Sequence, residues 1–158
     1  MAFSERMDVA PGGTCEAGHV RTSPSVAIGW TSLATGALMG LILGMWSFGG
    51  PIPVPGWIGD YDTLPRRLLR LGHIAFFGLG VLNIMLARHL GRARTYVAPR
   101  RFALGAMNFG NIFLPLTLIG AAAFEPAKYL MSVPALAVTG ALVIGAYVAI
   151  RDARGDGS

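Results

Sequence analysis

Four stretches of the chain stay apolar for about the length that crosses a bilayer, and polar, proline or arginine residues fence each one. A helix needs roughly 20 such residues at a rise of about 1.5 Å each. The pattern predicts spans over residues 26–48, 68–87, 102–124 and 129–150. Residues 1–25 carry Pro11-Gly12-Gly13-Thr14 and scattered charges with no helical or strand period, which predicts a disordered tail. That tail lacks the apolar core of a signal peptide, so the first span is expected to remain as an anchor. Residues 151–158 form a polar stop. The expected fold is an all-α integral membrane protein. Its single domain, 26–150, is four transmembrane helices packed as an antiparallel up-down bundle.

Within the first span, Gly36, Gly40 and Gly44 recur every four residues, with Ser32 one turn earlier. This places them on one helix face and permits close approach of another backbone. Two occupants suit such a face, a second copy of the chain or a helix of the same bundle, and the second is the more economical. The connection 49–69 holds Pro51, Pro53, Pro55 and Pro65, which exclude a continuous helix through its first part. Its apolar residues predict a loop lying on the bundle's end, with Trp57 and Tyr61 at headgroup level. Thr63-Leu64-Pro65 reads as the start of the next helix, with Pro65 in its first turn. In the third span Pro115 leaves the carbonyl of Asn111 without its helical donor and predicts a kink. Residues 125–128 read as a short turn, with Pro134 in the second turn of the last span.

Composition strengthens the membrane reading. The 158 residues are 53% hydrophobic and 13% charged, with mean hydropathy +0.55, where soluble domains carry about 25% charged residues. The net charge of +5 sits in arginines between the apolar runs, where anionic lipid headgroups account for it better than nucleic acid does. Arg88, Arg92, Arg94, Arg100 and Arg101 with His89 crowd the second connection, and no acidic residue accompanies them. Lys/Arg-rich short loops stay on the cytoplasmic side. Both termini are then cytoplasmic, with Arg6, Arg21, Arg151 and Arg154 inside as well, and Arg66, Arg67, Arg70 and Lys128 outside. Expected partners are therefore membrane lipids, anionic ones at 88–101, and no nucleic acid.

Candidate chemistry is sparse. Asn83 in the second span and Asn108 in the third fall at about the same depth, counted from the inner ends of their helices. That predicts an interhelical hydrogen bond between them, with Asn111 on the same side as Asn108. His73 lies near the outer end of its span, and an imidazole with a thioether forms the axial pair of many cytochromes. One sharp expectation is therefore a haem b held by His73 with Met131 or Met45, its propionates met by Arg66, Arg67 and Arg70. The competing expectation is a histidine bonded to a neighbouring carbonyl. Cys15 is the lone cysteine, so no disulfide within the chain and no multi-cysteine metal site is available; Cys15 and His19 by themselves make a poor metal pair. The spans offer no Asp, Glu, Lys or Arg at mid-depth for an ion path. No nucleophile motif, phosphate-binding glycine motif or nucleic-acid motif is present.

The run Pro65-Arg-Arg-Leu-Leu-Arg-Leu-Gly-His-Ile-Ala-Phe-Phe-Gly-Leu-Gly80 resembles the histidine-and-glycine helices of bacterial respiratory membrane proteins. The resemblance slightly favours haem; the expected location is a bacterial cytoplasmic membrane. Taken together, the residues lead us to expect a small multi-pass protein with a non-catalytic accessory, assembly or scaffold role, as a homodimer or in a larger membrane complex. A haem-binding electron-transfer subunit, and a lipid- or small-molecule-binding protein with its pocket beneath the outer loop, are the alternatives.

Overall fold

A computed structural model describes residues 23–47, 49–92 and 97–155. Cys15, His19, Arg94 and most of the expected N-terminal tail lie outside the described residues. Four α-helices and one 3₁₀ helix make up the fold, with no strand among the described residues: α1 (Pro24–Met45), α2 (Leu64–Arg92), α3 (Val97–Ala123), the 3₁₀ helix (Glu125–Met131) and α4 (Ser132–Ala153). All four α-helices are long and apolar enough to cross a membrane, so the chain reads as a multi-pass membrane protein.

Helix ends fall where proline is tolerated. Pro24 opens α1 and Pro65 is the second residue of α2, positions whose backbone N–H has no partner in the helix to lose. His89 and Arg92 occupy the last turn of α2, the end at which the helix dipole favours cations. Pro115 is fully buried inside α3, which runs on continuously past it.

The last span begins later than its hydropathy predicts. Phe124 is extended, and a 3₁₀ helix then runs from Glu125 to Met131 with Pro126 as its second residue, so the α-helix opens at Ser132 rather than at residue 129. This moves Pro134 out of a second turn and into the first, where its missing donor costs nothing. Lys128 closes the 3₁₀ segment by donating to Glu125 at 2.6 Å.

Helices adjacent in sequence pack against each other, and α2 carries the largest share of buried side chains. One apolar cluster joins Leu86 and Leu90 of α2 to Ala103 and Met107 of α3 and Ala141 and Val148 of α4. A second cluster, at the opposite end, joins Leu68 and Leu69 to Ala121 and Ala122. The proline-rich connection supplies Ile58 to this second cluster, and only 1% of that side chain is exposed. Trp57 and Tyr61 stay exposed on the same loop.

Arg66 pins the loop down. It is buried, its Nη2 donates to the Trp46 carbonyl at 2.5 Å, and its guanidinium lies 5.3 Å from the Tyr61 ring centre. Arg66→Met should therefore loosen the connection by about 1.5–3 kcal/mol, the range for a hydrogen bond from a charged group. Limited proteolysis within residues 49–62 should speed up accordingly. Arg67→Met removes only an exposed 3.7 Å pair with Asp62 and should change the cleavage rate little.

Candidate functional site

Along its length, one face of α1 meets α2 and α3 through a ladder of polar contacts in an otherwise apolar interior. At the end nearest residue 25, Asn83 of α2 donates through Nδ2 to Asn108 Oδ1 at 3.0 Å. Asn108 in turn donates through Nδ2 to Ser25 Oγ of α1 at 3.1 Å. Depth counting places the two asparagines together, and the structure adds the serine, which the sequence pattern assigns to the tail. Asn83 is 0% exposed and its Oδ1 has no partner among the described residues.

One level further on, Ser32 Oγ lies 2.9 Å from both the Phe76 carbonyl and Asn111 Oδ1. Asn111 is likewise 0% exposed, and its Nδ2 lacks a partner among the described residues. Two small residues let the helices come this near. An added Cβ on Gly80 would stand 2.9 Å from the Gly29 carbonyl oxygen, and one on Gly29 equally close to the Gly80 oxygen.

At the third level His73 Nδ1 sits 2.8 Å from the Gly36 carbonyl. A carbonyl only accepts, so Nδ1 carries the proton and Nε2 keeps its lone pair in the neutral ring. The ring rests on Gly40, where a Cβ would come within 2.5 Å of its Cε1, and meets Phe77 edge-on at 5.3 Å. Gly36 and Gly40 thus face α2 of the same chain, whereas a Cβ on Gly44 would meet nothing within 4 Å.

The other residues expected around a haem are dispersed. Met131 ends the 3₁₀ helix, which packs on α3 and α4 and has no Cα within 8 Å of α1 or α2. Met45 follows Gly40 by five residues, about 140° around the helix from the face that His73 touches. Arg66 is engaged with Trp46 and Tyr61, and Arg70 lies over the Tyr61 ring at 4.1 Å. No group of three or more His, Cys, Asp or Glu side chains gathers among the described residues.

Two clefts flank the ladder. One, of about 410 Å³, opens between α1 and α3 with Phe76 and Asn111 on its lining. The other, between α2 and α4, is lined by Met85, His89, Leu142 and Ala149. The buried Nε2 of His89 has no partner among the described residues. The first cleft lies at mid-helix level rather than beneath the loop, where the sequence pattern leads one to look. Comparison of the chain with protein-family models, curated proteins and solved structures finds no match.

Proposed function

We propose that the chain is a non-catalytic subunit of a membrane complex, serving as an accessory, assembly or scaffold component. Its four helices run alternately up and down, with both termini on the side of the basic 88–101 segment. The observation that carries this reading is how the interior polar groups are used. Ser25, Ser32, His73, Asn83 and Asn108 all bond from helix to helix, which holds shape and leaves no constellation of acid, base and nucleophile among the described residues. The alternating direction is supported by partner order: Gly29 meets Gly80, Ser32 meets Phe76, and Gly36 meets His73, so numbers fall on α2 as they rise on α1.

A reporter fused behind Ser158 is expected to be active only on the cytoplasmic side, and activity on the exterior would overturn the orientation. In a mild-detergent native gel of the source membrane, the 16.6 kDa chain is expected to migrate in a species several times its own mass. Migration as a detergent-bound monomer under conditions that preserve other membrane complexes would overturn the scaffold role.

The Nδ1 bond of His73 supports a second reading. Metal-binding histidines commonly spend the other ring N–H on a carbonyl, and here Gly36 takes it. Haem bound through Nε2 would give a Soret band that His73→Ala abolishes; protein from a haem-replete host with no such band would remove this reading.

A further inference from the structure

The cleft between α1 and α3 exists because both helices lean on α2 and barely on each other. Its walls include Ile28 and Thr31 on one side and Ile112 and Leu116 on the other, and Phe76 and Asn111 also line it. At about 410 Å³ it falls in the size range of small-molecule sites, about 300–1,000 Å³. Asn111 lies near the middle of α3, about 20 Å from either end. Only a compound that itself dissolves in hydrocarbon reaches that depth.

The hydrogen-bond inventory of the lining singles out one group. Thr31 donates to the Ala27 carbonyl at 3.0 Å and Thr35 to the Thr31 carbonyl at 2.9 Å. Ser32 has one hydrogen and two candidate acceptors, the Phe76 carbonyl and Asn111. When it donates to Asn111 Oδ1, both amide N–H groups of Asn111 are left for another acceptor. A fully buried amide then presents its Nδ2 with no acceptor among the described residues. A group left so is costly in an apolar setting, and an acceptor oxygen brought by a ligand would relieve it.

We propose that this cleft binds a neutral, hydrocarbon-soluble carbonyl compound, such as a ketone, quinone or ester, whose oxygen accepts the spare Asn111 N–H while its apolar body lies along Phe76 and between the two walls. This goes beyond the scaffold role and holds whether or not the chain has a protein partner.

The test uses full-length protein reconstituted in lipid nanodiscs, with benzophenone as the probe. Its excited ketone takes a hydrogen from a neighbouring C–H, and the two radicals join as a C–C bond, leaving an alcohol. Adducts are expected at Ile28, Ile112 or Leu116. Fluorenone should compete them away, and fluorene, the same shape without the oxygen, should compete poorly; this comparison needs no variant. Asn111→Leu should weaken labelling about two- to tenfold, as expected for one neutral hydrogen bond, and Leu116→Trp should abolish it by filling the cleft. Adducts spread evenly over outward residues such as Leu136 and Val143 would overturn the proposal. So would equal competition by fluorene, or unchanged labelling in folded Asn111→Leu protein. Copy-to-copy crosslinks between Cys residues placed at Thr31, persisting as lipid is added in excess over protein, would show a second copy in the cleft and overturn it as well.

Discussion

Gly80→Ala should push α1 away from α2 and destabilise the fold by about 1–3 kcal/mol, the range for overpacking a close-packed contact. The added carbon would meet the Gly29 carbonyl oxygen at 2.9 Å and Leu33 Cγ at 3.1 Å. A backbone oxygen cannot rotate aside as a side chain can, so relief requires the helices to separate. Separation is felt along the whole face, because Ser32 reaches the Phe76 carbonyl and His73 reaches the Gly36 carbonyl across the same seam. Gly80→Leu should be worse and should leave little folded protein. Two residues earlier, a Cβ on Gly78 meets nothing within 4 Å, so Gly78→Ala has the same gain in helix propensity without the clash and should be neutral within about 0.5 kcal/mol. Midpoints of unfolding in mixed micelles with increasing SDS measure all three. Equal midpoints for the Gly80 and Gly78 alanine variants would show that the seam is looser than 2.9 Å.

The same geometry bears on the glycine stripe of α1. Gly40→Leu collides with the His73 ring within the chain, whereas Gly44→Leu adds bulk to open space. A loss of self-association caused by Gly40→Leu alone would therefore report a damaged protomer. A loss caused by Gly44→Leu would report a lateral contact with another molecule.

Depth was legible in the sequence, and rotation about each helix was not. The rise of 1.5 Å per residue is enough to bring Asn83 and Asn108 to one level, where the structure has them bonded. Ser32 with Asn111, and His73 with Gly36 and Gly40, depend on which way each helix turns its faces. That is set by where small residues let backbones meet, as Gly29 and Gly80 do. A 3.6-residue period in one helix says nothing of its neighbour's azimuth. Ser25 was hidden for a different reason: it follows the polar tail by composition, yet it lies in the first turn of α1, buried against Asn108. The cleft also has no linear signature. It is the gap left when two helices lean on a third, and its one informative group, the spare amide N–H of Asn111, appears only once every nearby hydroxyl has been assigned an acceptor.

Asn108→Leu should cost more than Asn83→Leu, although the two variants remove the same bond. Asn108 accepts from Asn83 and donates to Ser25, so its loss strips Asn83 of its remaining partner at a site with 0% exposure. Loss of Asn83 leaves Asn108 still bonded to Ser25 and also removes an Oδ1 that has no partner among the described residues. An orphaned buried polar group costs about 1–3 kcal/mol, which we expect for Asn108→Leu, with Asn83→Leu below it. In the double variant no amide remains to be orphaned, so it should be less destabilised than the two singles predict together, by about 0.6–1.7 kcal/mol if the bond is of ordinary interhelical strength. The readout is again the SDS unfolding midpoint, measured around the four-variant cycle. Strict additivity would mean that the asparagines do not share a bond in the bilayer. A double variant more stable than wild type would mean that the inner polar rung is kept at a net cost in stability, with orientation of α1 against α2 and α3 as the property it supplies.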